Sequence, residues 1–522
     1  MEVSKLAPAA GLLTMAEPDR PRETKPVAEL SPHTRRLLHD PIVPMLLRMA
    51  WPNILIMLAQ ASTGLIETFW VARLGTDALA GMALVFPLVM LMQTISAGAM
   101  GGGISSAIAR ALGRGHRQDA DALVLHAVVI NIVVGLAFAA VMLAFGRPIY
   151  RALGGAGGEL EAALAYSNVV FGGSVLLWLL NGLASTIRGT GNMLVPAIVI
   201  CVGVVFLVPL SPVLIFGLGP IPALGVAGGG SAVVVFYAAG TAVLAWYVLS
   251  GRNLARLRQS RLRWSLFRDI LRVGAVASLQ SIQTNVTIAL ATALVATAAG
   301  VDAVAGFGTG VRLEYLLIPL VFGLGAPLVA LVGTNIGAGH QQRALRIALT
   351  GAALAFALSE AVGLIAAVWP AEWLSLFSAE PNMIETGSMY LRIVGPAYGF
   401  FGLGLSLYFA SQGAERLFWP LFYGFLRVFI SVVGGWIVLQ MTGSLTWLFA
   451  ALALGLVVFG LAVAAAVGSG AWFRVRGNYE SRDVPKCRLS DIEAGSRTRI
   501  DPADRLIARN SRPPDGRPVP RL

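Results

Sequence analysis

Long apolar runs separated by short polar connections set the architecture of this chain. A bilayer hydrocarbon core of about 30 Å takes about 20 apolar residues in helix. Measured that way, the sequence predicts twelve spans, at about 46–72, 78–104, 122–145, 162–184, 194–217, 225–249, 271–298, 303–332, 346–369, 388–410, 417–440 and 444–472. Several contain Gly and Pro, which membrane helices tolerate where neighbours satisfy the freed backbone groups. The chain then divides into an N-terminal tail over 1–41, six spans over 42–250, a basic linker over 251–270, six spans over 271–472 and a C-terminal tail over 473–522. Both tails lack apolar periodicity and read as disordered. The apolar stretch Leu6–Ala16 is broken by Pro8 and Gly11 and followed by charges, so it reads as tail, not as a cleaved leader.

Composition agrees with the pattern. The 522 residues are 56% apolar and only 13% charged. Between Pro41 and Trp472, 432 positions hold 21 basic and 14 acidic residues, a charge density that suits lipid. The net charge of +12 raises nucleic acid as a partner. Arginines concentrated in alternate connections explain it better, because cytoplasmic loops of membrane proteins collect bases. One set of loops carries Arg110, Arg114 and Arg117, then Arg188, then six arginines between Arg252 and Arg268, then Arg343, Arg346 and Arg416. On the other side stand Arg73, Arg147 and Arg151, while the loop near 370–387 has Glu372, Glu380 and Glu385 and no base. That count places both termini in the cytoplasm of a multi-pass plasma-membrane protein, the inner membrane in a bacterium. Cys201 and Cys487 are too dissimilar in setting to pair. The three lysines all lie in the tails, so the core lacks the lysine of a phosphate-binding loop, which argues against an ATP-driven pump.

An internal repeat is the most informative feature. Leu74-Gly75-Thr76-Asp77-Ala78-Leu79-Ala80-Gly81 recurs as Ala299-Gly300-Val301-Asp302-Ala303-Val304-Ala305-Gly306, and Gly113-Arg114-Gly115-His116 as Gly337-Ala338-Gly339-His340. A shift of 224 also carries Tyr166 onto Tyr390, Gly189 onto Gly413 and Pro196 onto Pro420. Six spans per half put both copies in the same orientation. The fold class that follows is an all-α polytopic membrane protein of twelve transmembrane helices, in two six-helix lobes related by a parallel repeat. Such repeats suit rocking between inward-open and outward-open states around a shared site.

Trp51-Pro52 through Ile66-Glu67-Thr68, followed by Arg73-Leu74-Gly75-Thr76-Asp77-Ala78-Leu79-Ala80, resembles the first helix of the multidrug and toxic compound extrusion (MATE) family. Arg188-Gly189-Thr190-Gly191-Asn192 and Val332-Gly333-Thr334-Asn335-Ile336-Gly337-Ala338-Gly339 match it as well, in order, so the resemblance covers about 42–470. It implies a secondary antiporter that exports cationic or neutral amphipathic organic compounds in exchange for protons or sodium ions. A monomer is expected, with small amphipathic molecules and the bilayer as its partners, no nucleic acid, no metal and no cofactor other than the coupling ion.

Three acids fall well inside spans: Glu67, Glu314 and Glu360. An ionised carboxylate at mid-bilayer costs on the order of 2.5–3.5 kcal/mol on insertion scales, so each needs a partner, a wet cavity or a proton. Helical spacing puts Asn53, Gln60, Thr63 and Glu67 on one face. Burial favours the neutral acid and a bound cation favours the charged form, and that competition is the physical basis of exchange. The resemblance assigns Glu67 the coupling position, where the family usually has Asp. It also exposes departures. Leu207 and Ser211 stand where the family often has Asn and Asp, Thr284 and Phe401 where some members carry acids, and the repeat mate of Glu67 is Ala291 or Thr292. With the usual sodium site largely missing, protons are favoured.

Other cavity candidates are Gln280, Thr284 and Thr287, which share a face, and Arg312 with Glu314, which lie two apart and so do not pair with each other. Glu360 reads as a helix-packing residue, and the glycine-rich run Gly98 to Ser106 as a packing surface. No His, Cys and acid cluster has metal-ligand spacing and no nucleophile–base set stands out, so no enzymatic activity is expected. The rival function is a flippase for a lipid-linked saccharide. That needs several cavity cations to hold pyrophosphate, and the candidates are Arg312, Arg392 and Arg427.

Overall fold

A computed structural model describes residues 30–377, 380–470 and 472 of the chain, and the readings made for 1–29 and 473–522 lie outside the described residues. The described residues are helical apart from connections and one isolated bridge between Leu218 and Ile221. Eleven helices are long and apolar enough to cross a membrane, and a pair bent by 47° supplies the twelfth. In chain order, spans 1 to 6 are Ile42–Leu74, Thr76–Gly113, Arg117–Ala152, the bent pair Gly157–Gly172 and Ser174–Gly189, Leu194–Phe216, and Val226–Leu249. Spans 7 to 12 are Trp264–Gly300, Ala303–Gly337, Gln341–Val368, Pro381–Gly413, Phe418–Thr442 and Leu445–Gly468. All twelve expected spans are present, most of them longer than the lipid-crossing segment alone.

Each half builds its own core. One contiguous cluster joins Ile56, Tyr150, Phe171, Trp178 and Phe236. Another joins Phe307, Tyr390, Leu448 and Phe449, with Phe307 stacked on Phe449 at 5.9 Å and edge-on to Tyr390 at 5.1 Å. The lobes touch where the repeated glycine motifs meet. A Cβ on Gly113 would overlap the Thr334 backbone, and one on Gly337 the Arg110 backbone, so glycine alone permits this crossing. Spans 1 and 7 each start against the opposite lobe. Asn53 donates to the Phe322 and Gly323 carbonyls of span 8 at 3.0 and 3.3 Å, and Gly274 packs on Met100 of span 2.

Two boundaries differ from expectation. The tail is not irregular up to residue 41: Pro32–His39 forms a helix, with Ser31 accepting from the Thr34 amide at 3.1 Å and Pro at its first turn. Thr34, Leu37 and Leu38 are buried. This short helix spans both lobes, packing Leu37 near Gly191 while its carbonyls accept from Asn335 (Leu37, 3.3 Å) and from the Arg343 guanidinium (Asp40). Eight residues with three inward positions are too few to display a period. The basic linker is also shorter than 251–270, because span 7 begins at Trp264. Residues before it are pinned along span 3. The Arg256 amide donates to Asp121 at 2.7 Å, the Arg263 guanidinium pairs with Asp119 at 2.7 Å, and the Arg263 amide donates to His126 Nε2 at 2.9 Å. With Nε2 accepting, Nδ1 carries the proton and donates to the Ala122 carbonyl at 2.7 Å, so His126 is a neutral structural bridge.

Candidate functional site

Glu67 lies in span 1, only 1% exposed, and neither carboxylate oxygen has a hydrogen-bond partner. Ser211 of span 5 sits beside it, fully buried, its hydroxyl the nearest donor to the carboxylate though outside close hydrogen-bond geometry. Tyr166 and Tyr237, both buried, lie near enough to feel the carboxylate's charge. Room for the side chain comes from span 6, where a Cβ on Gly229 would stand 2.7 Å from Glu67 Oε2. No ion pair involves Glu67 among the described residues. A buried carboxylate with no base beside it can take a proton or a cation, and either one answers the cost of burial.

The polar stripe predicted along span 1 divides between two environments. Asn53, fully buried, is used in the bonds to span 8. Thr63 is buried with its hydroxyl returned to the Ala59 carbonyl at 3.2 Å, and Gln60 is half-buried. Fourteen residues of helix separate Asn53 from Glu67 by about 21 Å. Sharing a face does not place them in one site.

In the second lobe, Gln280, Gln283 and Thr287 are buried polar positions of span 7, and Thr284, half-buried, returns its hydroxyl to the Gln280 carbonyl. Gln283 is the member the sequence reading lacked. Glu314 is 5% exposed and pairs at 3.0 Å with Arg427 of span 11, also 5% exposed, while the Tyr390 hydroxyl donates to its other oxygen at 3.4 Å. A turn of π-helix, Phe429–Gly434, begins two residues after Arg427. Arg312 is absent from this cluster: it is exposed and lies over the Phe377 ring at 5.3 Å. Glu360 accepts from the Gly399 amide at 2.8 Å just after span 10 tightens to a 3-10 turn at Gly395–Ala397, which is a packing role.

Comparison with known proteins places this geometry. The MatE family model matches residues 52–213 and 277–437, one copy in each lobe. A Shewanella oneidensis protein named "FAD transporter" is 29% identical over 72% of this chain and 82% of its own. A Thermotoga maritima protein named "Probable multidrug resistance protein NorM" is 25% identical over 73% of this chain and 82% of its own. Among solved structures, a MOP superfamily transporter from Pyrococcus furiosus has a TM-score of 0.78 at 22% identity, over 85% of this chain and 98% of that one. A multidrug resistance MATE family transporter in an outward-facing conformation has a TM-score of 0.75 at 23% identity, with the same coverage. With twelve spans, two copies of the repeat and the family model matched in both, the chain belongs to the MATE family of multi-pass membrane transporters.

Proposed function

We propose that the chain is a secondary antiporter that exports cationic or neutral amphipathic organic compounds, drugs among them, with Glu67 as the exchange carboxylate. The observation that carries this is a buried acid with no base beside it and the Ser211 hydroxyl as its neighbouring donor among the described residues. In one state of the cycle a proton sits on the carboxylate, and in the other the positive end of the cargo pairs with it. Protons are favoured over sodium, because Leu207 and Ser211 supply no second carboxylate beside Glu67 to complete a cation shell. Both termini face the cytoplasm, by the arginine asymmetry of the loops. The flippase alternative is weaker. Of its three candidate cations, Arg312 and Arg392 are exposed and Arg427 is neutralised by Glu314.

The test uses purified protein in vesicles loaded with an ethidium-like cation, under a proton gradient alone and a sodium gradient alone. Efflux under the proton gradient is expected. Efflux under sodium only would reverse the choice of ion, and efflux under neither would remove the antiporter reading. The Shewanella relative's name favours one further cargo, and the same vesicles loaded with FAD examine it.

A further inference from the structure

The helix Pro32–His39 lies on the face of the molecule that carries the linker, and its two sides belong to different lobes. In the first lobe it rests on the turn that ends span 4. Gly191 in that turn has φ +88°, and a Cβ there would stand 2.7 Å from Leu37 Cδ1 and 3.0 Å from His33 Nε2. His33 and Leu37 are four residues apart and share a helix face, so glycine is what lets that face seat. In the second lobe the contacts are polar. The last carbonyls of a helix have no partner within it. Asn335, fully buried near the end of span 8, donates to the Leu37 carbonyl at 3.3 Å, and the Arg343 guanidinium, in the first turn of span 9, donates to the Asp40 carbonyl. The His340 ring packs edge-on to His39 at 6.0 Å. One lobe seats the helix and the other caps it.

The repeat shows what the helix replaces. A shift of 224 carries Gly191 onto Glu415, in the turn after span 10. Glu415, at φ 58°, is the only non-glycine residue with a positive φ among the described residues. Such a backbone costs energy and persists where its surroundings hold it. Here the hold is a bridge between the lobes. The Glu415 carboxylate pairs with Arg110 of span 2, in the first lobe, at 3.5 Å, and with Arg272 of span 7, in the second, at 3.3 Å. The second lobe thus reaches across with the side chain of its own corner. The first lobe has glycine at that corner and no side chain to send, and the helix crosses in its place. Asp40 and Pro41 join the helix to span 1, which begins at Ile42.

We infer that Pro32–His39 is a strap that locks the linker face closed. Its seat on Gly191 and its short tether to span 1 make it travel with the first lobe. Opening of that face then breaks the caps from Asn335 and Arg343 and parts His39 from His340. Water can replace a lost cap, so these contacts cost little to break and remake, which suits a lock released in every cycle. The apolar seat has no such substitute, so the helix leaves the second lobe and not the first. The inference rests on the transporter reading, because only a rocking protein needs a lock, but not on Glu67 or the coupling ion.

The test reads closure directly. In the full-length chain with Cys201→Ser and Cys487→Ser, Ser106→Cys puts a thiol at a fully buried position of span 2, beside Gly333 of span 8. Maleimide labelling of the purified protein then reports parting of the lobes. Arg343→Ala uncaps the strap and should speed that labelling about tenfold, the worth of one charge-assisted hydrogen bond. Leu37→Ser unseats the strap and should speed it at least as much. Ser359→Cys, fully buried against Gly402 within the second lobe, is the control, and its labelling should not change. Unchanged labelling at Ser106→Cys in both variants, or equal acceleration at both thiols, would overturn the strap. The converse arm ties the strap down. His39→Cys with His340→Cys, joined by a short cleavable thiol crosslinker, should stop dye efflux and recover it on cleavage, and undiminished efflux while crosslinked would also overturn the proposal. Labelling uses no dye and no gradient. A chain that exports nothing even without the crosslink would therefore contradict the antiporter reading, while the labelling rates still decide the strap.

Discussion

Glu67 in the first lobe and Glu314 in the second are both at least 95% buried, each near a tyrosine that the repeat superimposes, Tyr166 and Tyr390. Their surroundings have otherwise diverged. Glu314 has Arg427 on one oxygen and Tyr390 on the other. Glu67 has a glycine against one oxygen, the Ser211 hydroxyl as its neighbouring donor and no charged partner. The carboxylates also sit on different repeat elements, span 1 in one lobe and span 8 in the other. A paired charge is held by the protein itself, whereas an unpaired one waits for something that can leave. The lobe with the weaker internal accounting is the one able to exchange.

The comparison breaks most visibly if the pair is cut. Arg427→Leu leaves Glu314 buried and uncompensated and should cost about 3–5 kcal/mol. Glu314→Leu combined with Arg427→Leu should recover most of that loss, because a buried pair replaced by apolar groups is often near neutral. Thermal unfolding of the detergent-purified variants reads both. Glu67→Gln should not lower the unfolding temperature, since no partner is lost. A fall matching that of Arg427→Leu would mean that Glu67 is a structural carboxylate.

A smaller effect sharpens the first lobe. Gly229→Ala puts a methyl 2.7 Å from Glu67 Oε2 and should cost about 1–3 kcal/mol by crowding, with slower export. Adding Glu67→Asp retracts the acid by one methylene and should restore part of both, measured by unfolding and by dye efflux. No rescue would show that Gly229 serves helix packing alone. Smaller again, Tyr390→Phe removes one hydrogen bond to Glu314 and should cost about 0.5–1.5 kcal/mol, whereas Tyr166→Phe should change stability less. Equal losses would erase the contrast between the lobes.

The spans and the repeat were legible because length and hydropathy report them directly, and Glu67 because a lone acid stood in a polar stripe of span 1. The stripe itself overreached: Asn53 lies on the Glu67 face but nearly half the length of its helix away, and bonds to the other lobe. Glu314 and Arg427 are 113 residues apart, and nothing local in either segment announces the other. Arg188 was counted as a loop base because it ends an apolar run, and only tertiary packing turns that position inward. The helix Pro32–His39 was lost in a polar tail because its burial comes from contacts with two lobes, not from its own pattern.

The central claim is that an unpaired carboxylate in the first lobe carries the exchange, and gradient-driven dye efflux in Glu67→Gln against Glu360→Gln tests it most directly. Both substitutions keep size and remove charge at membrane depth. Glu360 holds a backbone amide, a bond that glutamine can also accept, so its variant should export near normally. The Glu67 variant should fold, insert and lose export under the same verified gradient. Normal export by Glu67→Gln, or equal loss in both, would contradict the account.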